Sequence, residues 1–324
     1  MKKILKLTII YLLIATMFLV GCSSKPANDE PDIDSNIKGD SRNATLILKN
    51  LVNPFCVTVK EAAEEAAIEH NINLTVLTPL QGDSNEELSQ LTEQAVVSGD
   101  CDVLIMFPSD STGIIPAVQK VYEAGIPVVS LNTPINSDTV MWETFIAAEN
   151  YDVGYLTTSR LCEAMEGKGQ VFLIEGVVGA QNSIDRIAGA TDAIKEHPDI
   201  EIVAQQAGEM NRAKAMEVVQ NLLQAHPDVD GIYCCNDEMA LGAIEAIAAA
   251  GKEGQVLVAG CDVNADARVA IREGKLAFSC DIGAYDQGYQ SVAAAAKILD
   301  GEEVPERIVT KMVVVGIDEI KDYE

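Results

Sequence analysis

The chain has 324 residues and a formal charge of −27 at neutral pH, with a sequence pI of about 4.3. An acid excess of this size repels a phosphate backbone, which argues against nucleic-acid binding, and it suits a solvated surface that keeps an exported protein soluble. Eight cysteines in so long a chain show no C-x-x-C pairs of a zinc site, and a chain of this length needs no disulfide staples.

Lys2, Lys3 and Lys6 open the sequence, and an almost wholly apolar run from Ile4 to Val20 leads to Gly21-Cys22. This is the pattern of an export signal, and the run is short for a membrane span, which needs roughly 20 apolar residues. Gly21 before Cys22 resembles the bacterial lipobox, so residues 1–21 are expected to be removed and Cys22 to carry the lipid. An ordinary signal peptide cut nearby and a single uncleaved anchor are the alternatives. Residues 22–42 are rich in Ser, Asp, Asn, Pro and Lys and too poor in apolar groups to offset the entropy of ordering, which predicts a flexible tether. By length, the remainder suits two lobes of ordinary size.

From there short apolar runs alternate with longer helical patterns. Strands are predicted at 46–48, 74–77, 103–107, 128–131, 171–174, 200–204, 232–234, 256–259 and 277–280. A repeated βα rhythm of this kind predicts an α/β fold with parallel sheets. Asn53-Pro54 reads as an N-cap followed by a first-turn proline, and Ser84-Asn85-Glu86-Glu87 as a capping box. Gly125, Pro198, Pro227 and Gly251 mark helix stops. His70, His197 and His226 all stand at helix ends before Asn or Pro, where a histidine satisfies the last carbonyls and the helix dipole. No histidine is left for general-base work, so no catalytic residue is expected.

Asn53-Pro54-Phe55, the segment from Gly125 to Val129, Ala225-His226-Pro227-Asp228 and, above all, Asn236-Asp237-Glu238-Met239-Ala240-Leu241-Gly242-Ala243 resemble the ribose-type periplasmic binding proteins from about Ala44 to Val315. Repressors of the same fold begin with a DNA-binding helix pair, whereas this chain begins with an export signal. The resemblance implies two doubly wound parallel-sheet lobes of the type I architecture, joined by three chain crossings and closing on a ligand between them. Matching positions put the crossings near 147–150, 281–283 and 310–311. The first lobe is then 43–147 with 283–310, and the second is 148–282 with 311–324.

In open parallel sheets the ligand lies beyond the carboxyl ends of the strands, where helix N-termini point N–H groups into the crevice. A polyhydroxylated ligand calls there for amides, carboxylates and an apolar wall. By the resemblance, Asn53, Asn132 and Asn236 bind hydroxyls, Asp262 does so with its carboxylate, and Arg186 holds ring and hydroxyl oxygens with its planar fork. Phe55 and Met210 form walls, and Cys56 replaces a second aromatic. Asn53 and Asn236 also read as N-caps, Asp262 as a cap for the helix near Ala265, and Arg186 as a surface residue paired with Asp185 or Asp192.

The departures bear on ligand identity. Asn132-Thr133 stands where the ribose proteins have Asp-Arg, Ile282 beside Asp281 stands where they have glutamine, and Lys49 adds a cation. Ribose itself is therefore disfavoured, and another pentose, a hexose or a polyol fits better. Lys49 and Arg186 would also face an anionic sugar, although Asp110, Asp262 and Asp281 at neighbouring strand ends offset them.

The function expected is that of a monomeric lipoprotein of an ABC sugar importer, with permease subunits as partners, a membrane anchor through Cys22 and no cofactor or metal. Two rivals stand beside it. One is a ligand-sensing clamp read by a chemoreceptor or sensor kinase. The other is a metal or redox protein built on Cys56, Cys234, Cys235, Cys261 and Cys280. It is weakened because the adjacent Cys234 and Cys235 point to opposite faces of a regular strand.

Overall fold

The structure is a computed structural model that describes residues 42–139 and 142–323. The export signal, Cys22 and the tether as far as residue 41 lie outside the described residues. The first part of the chain runs β1 (Asn43–Ile47), α1 (Pro54–Glu69), β2 (Asn73–Leu77), α2 (Asn85–Ser98), β3 (Val103–Met106), α3 (Ile115–Glu123), β4 (Val128–Leu131) and β5 (Thr144–Ala147). It continues as α4 (Asn150–Ala164), β6 (Lys168–Glu175), α5 (Gln181–Lys195), β7 (Asp199–Ala207), α6 (Arg212–Ala225), β8 (Gly231–Cys234), α7 (Asp237–Ala249), β9 (Leu257–Cys261), α8 (Ala265–Arg272) and β10 (Phe278–Asp281). Then come α9 (Ala284–Leu299), β11 (Arg307–Val309) and β12 (Val313–Val315).

Among the described residues the strands form two 6-stranded sheets, ordered β11-β5-β4-β3-β1-β2 and β12-β10-β9-β8-β6-β7. Each is the sheet of one α/β lobe. Every pairing is parallel except β10 with β12. That edge strand departs from the all-parallel expectation because it enters the second sheet directly from β11, with no helix to carry the chain back. The sequence reading also passes over β5, β11 and β12. β11 and β12 are three-residue edge strands, each with half-exposed or exposed positions, and their burial leaves little pattern to read.

β3, β4 and β5 are buried at every position, as parallel strands covered on both faces must be. In the first lobe α1 and α9 cover one side of the sheet with an alanine-rich core, while α2 and α3 close the other through Leu88, Val118 and Val121. In the second lobe the helices pair as α4 with α5 and α6 with α7 over Phe172, Tyr233 and Ile232. The chain passes between the sheets at residues 148–149, 282–283 and 310–312.

Local signals are met unevenly. Asn53 caps α1 by accepting the Phe55 N–H at 2.9 Å. Ser84 accepts the Glu87 N–H, but Glu87 turns its carboxylate to the N–H groups of Leu80 and Gln81, so only half of the capping box forms. Asp262 does not cap α8; Asn264 does, accepting the Ala267 N–H at 2.9 Å.

Candidate functional site

Both lobes share one strand order, with β1 or β6 lying between its two successors, so the winding reverses beside that strand. Ligand sites in such sheets lie at the carboxyl ends of the strands flanking the reversal. Lys49 follows β1, Phe107 follows β3 and Asn236 follows β8. Together with Asn53, Phe55, Cys56, Asn132, Asn182, Arg186, Met210, Asp262 and Ile282 they line one small cavity between the lobes. Larger open clefts of about 710 and 390 Å³ flank it; the first shares Phe55 and Asp262 with it, the second Asn53 and Met210.

From the first lobe, Lys49 is buried, with Nζ 3.9 Å from Asp83 Oδ1 and 4.9 Å from the centre of the Phe107 ring. A cation over an aromatic face gains from the ring quadrupole. Phe55 meets Phe107 edge to face at 6.2 Å, which gives the cavity its apolar wall. Asn50, which the sequence reading missed, shapes the loop between β1 and α1. Its Oδ1 accepts the N–H groups of Val52 and Asn53, and its Nδ2 donates to Asp83. With its oxygen engaged in the cap, Asn53 keeps its Nδ2 donor and one oxygen lone pair for another partner.

From the second lobe, Arg186 is buried, not a surface residue paired with Asp185 or Asp192. Its Nε donates to Asn150 Oδ1 at 2.8 Å and its Nη1 to the Cys235 carbonyl at 2.6 Å. Close helix packing sets its position, since a Cβ on Gly154 of α4 would lie 1.9 Å from the Arg186 carbonyl oxygen. Burial opposes its charge, yet the acidic groups around it, with Asp262 the carboxylate among them, raise its pKa above the ordinary value. Asn236 caps α7 through the Met239 N–H at 3.0 Å, and its buried Nδ2 has no hydrogen-bond partner. Burial raises the Asp262 carboxyl well above the usual carboxylate range and the nearby Asp237 charge adds to this, against the pull of Arg186 and Lys49.

The lobes are closed on each other. Asn182 Nδ2 donates to Asn132 Oδ1 at 2.9 Å, and Asn132 Nδ2 donates to Gln287 Oε1 at 2.9 Å. Nearer the rim, Asn136 donates to Gln181, and Ser111 exchanges bonds with Gly179 and Gln181. Asn182 Oδ1 remains buried without a partner. Asn182 lies one helical turn before Arg186 on the same face of α5, a spacing that would have identified it from sequence.

Three predicted site residues fall elsewhere. Asp110 lies outside the cavity because its Oδ1 accepts the N–H groups of Thr112 and Gly113 and the Thr112 hydroxyl, turning it into a local loop staple. Against the upward push of burial, those bonds lower its pKa. Asp281 accepts the Gly283 N–H and the Tyr323 hydroxyl, both at 2.9 Å, and lines only the outer cleft. Thr133 is fully buried and does not line the cavity.

The seven cysteines among the described residues are buried and free. Burial pushes the Cys56 thiol up to about 12 and the Cys235 thiol up to about 11, so both are protonated near neutrality. Among the described residues no group of three or more His, Cys, Asp or Glu is placed to hold a metal ion.

Two parallel-sheet lobes, three crossings and a polar cavity at facing strand ends define a type I binding protein. A profile of the periplasmic binding protein domain matches residues 44–303. The chain is similar to the ribose import binding protein of Bacillus subtilis (strain 168), 30% identical over 301 residues that cover 92% of this chain and 95% of that one. It is 33% identical over 251 residues to the D-allose-binding periplasmic protein of Escherichia coli (strain K12), covering 74% of this chain and 80% of that one. Among solved structures, an ABC transporter periplasmic solute binding protein from Actinobacillus succinogenes with bound D-allose superposes with a TM-score of 0.82 at 33% identity, over 87% of this chain and 99% of that one. The chain belongs to the type 1 periplasmic binding proteins, in the ribose branch.

Proposed function

We propose that this chain is an exported lipoprotein, anchored through Cys22, that closes on a neutral monosaccharide or polyol and delivers it to the permease of an ABC importer. It performs no chemistry of its own. The observation that carries the reading is the pair of buried, unpartnered amide atoms, Asn236 Nδ2 and Asn182 Oδ1, on two second-lobe residues that line the cavity with Arg186 and Asp262. Buried polar groups are almost always hydrogen-bonded, so a donor and an acceptor left open in one cavity call for a guest that both accepts and donates, as a hydroxyl does.

Charge favours a neutral guest. Lys49 is offset by Asp83 at 3.9 Å, and Arg186 by Asp262. Phe55, Phe107, Met210 and Ile282 supply the apolar surface against which the C–H face of a sugar ring packs. In this reading the ligand contacts are Lys49, Asn53, Phe55, Cys56, Asn132, Arg186, Met210, Asn236 and Asp262, joined by Phe107, Asn182 and Ile282. The lobes are 43–147 with 283–310, and 148–282 with 311–324.

Thermal shift against D-allose, D-ribose, D-fucose, myo-inositol and D-glucuronate tests it. A guest at 100 times its Kd adds about 2.7 kcal/mol of stability. A neutral member of the panel should raise the melting temperature and glucuronate should not; a shift by glucuronate alone would reject the neutral-sugar reading.

A further inference from the structure

The string that begins at Asn236 continues with an acidic residue, Asp237, whose place in the fold goes beyond starting a helix. Asp262 reaches the cavity from a turn of two consecutive non-glycine residues with positive φ, Asp262 at 123° and the β-branched Val263 at 53°. Such backbone is strained and persists only where its surroundings hold it.

The surroundings converge on Asp237, the first residue of α7. Its Oδ2 accepts the Asn264 N–H at 3.0 Å, and its Oδ1 accepts the Ser279 hydroxyl at 2.6 Å. Ser279 Oγ in turn accepts the Val263 N–H at 3.1 Å. Both amides that follow Asp262 are thereby tied to one carboxylate, one directly and the other through a single hydroxyl. On the near side, the Asp262 N–H donates to the Cys280 carbonyl at 2.8 Å, so the turn is fixed at each end. Space for the carboxylate exists because residue 260 is glycine: a Cβ there would lie 2.5 Å from Asp237 Oδ1. Asp237 is fully buried and does not itself line the cavity.

We propose that Asp237 is a positioning residue, whose buried carboxylate holds the strained turn at 262–264 so that Asp262 is presented to the guest in the cleft. The inference rests on the reading of the cavity as a sugar site, and its test separates the two. Asp237→Ala removes both bonds. Asp237→Asn keeps one oxygen for the Asn264 N–H and lets Ser279 rotate to accept from the new amide, so it serves as the conservative rescue. Ser279→Ala cuts only the branch to Val263 and leaves α7 untouched, which keeps the question open to experiment should Asp237→Ala fold poorly.

Two measurements decide it on the full exported chain. Hydrogen exchange of the ligand-free protein should speed up at Val263 and Asn264 by at least tenfold in Asp237→Ala and Ser279→Ala, with α7 beyond its first turn unchanged. Calorimetry with D-allose, D-ribose and myo-inositol should show the tightest binder weakened at least 30-fold by Asp237→Ala, and only three- to tenfold by Asp237→Asn. In an Asp262→Asn background, Asp237→Ala should add less than twofold, since a positioning effect is lost once the positioned group is gone. The proposal is overturned by wild-type exchange at Val263 and Asn264, by wild-type affinity in Asp237→Ala, or by a loss of equal size in both backgrounds. If the wild-type protein binds none of the three probes, the sugar reading fails, and the exchange data alone then support or overturn the clamp.

Discussion

The proposed site gives Asn236 two jobs, one for each polar atom of its side chain, and the substitution series Asn236→Ser and Asn236→Ala can separate them. Its Oδ1 caps α7 by accepting the Met239 N–H at 3.0 Å, while its Nδ2 is buried without a hydrogen-bond partner. Serine caps about as well as asparagine, whereas alanine costs about 1 kcal/mol at such a position. At about 2.1 cal/mol/K of unfolding entropy per residue, 1 kcal/mol corresponds to roughly 1.5–2 °C in melting temperature for a folded part of this size. Ligand-free Asn236→Ser should therefore melt within about half a degree of wild type, and Asn236→Ala about 2 °C lower. Both lack the amide donor, so a sugar hydroxyl that it met would be buried without a partner, at a cost of about 1–3 kcal/mol, or roughly 5- to 150-fold in Kd. Differential scanning calorimetry of the free protein and titration calorimetry with the best sugar of the panel read the two effects independently. Wild-type affinity in Asn236→Ser would refute the assignment of Nδ2 to the guest. Equal melting of the serine and alanine variants would refute the cap.

The remaining expectations are shorter. Because burial and the Asp237 charge raise the Asp262 pKa, affinity should fall as pH is lowered at a higher pH than for an ordinary carboxylate near 4; titration calorimetry from pH 7.5 to 5 checks this. Asp237 is likewise pushed up by burial, to about 6, so the folded chain takes its proton more readily than the unfolded chain. The sign for stability is then opposite to that for binding: between about 6 and the unfolded value near 3.8, acidification through this group stabilises the fold, and the melting temperature should hold while affinity falls. Asn182→Ala removes the bond to Asn132 that joins the lobes, and X-ray scattering of the ligand-free protein should show a larger mean radius; an unchanged radius would mean that bond does not hold the lobes together. Cys22→Ser should abolish labelling by radioactive palmitate in cells and release the protein from the membrane fraction, whereas retained labelling would place the acyl group elsewhere.

The βα rhythm is legible because each buried parallel strand is a short apolar run bounded by caps and stops, and β3, β4, β8 and β9 fall where those runs lie. β11 and β12 were not legible, since three-residue edge strands carry too little pattern, while β5, as short as the legible β3 and β4, was missed. The cavity was partly legible for a different reason. Residues at strand ends can be placed by topology and Asn182 by its spacing from Arg186, whereas Asn150 meets Arg186 because α4 packs closely on α5 at Gly154, a contact between positions far apart in sequence. Asp110 and Asp281 illustrate the converse. Asp281 ends β10 and Asp110 lies four residues past β3, yet each accepts backbone N–H bonding from residues two or three on, and neither lines the cavity.

The order in which the lobes are completed has a consequence for export. α9, which packs on α1, and β11, the edge of the first sheet, come from the last fifth of the chain, after all of α4 to β10 has been made. During synthesis the early segment therefore waits, with α1 and one side of its sheet uncovered, until residue 309 emerges. A nascent chain whose first lobe stays incomplete until then would remain threadable, which suits the export proposed above.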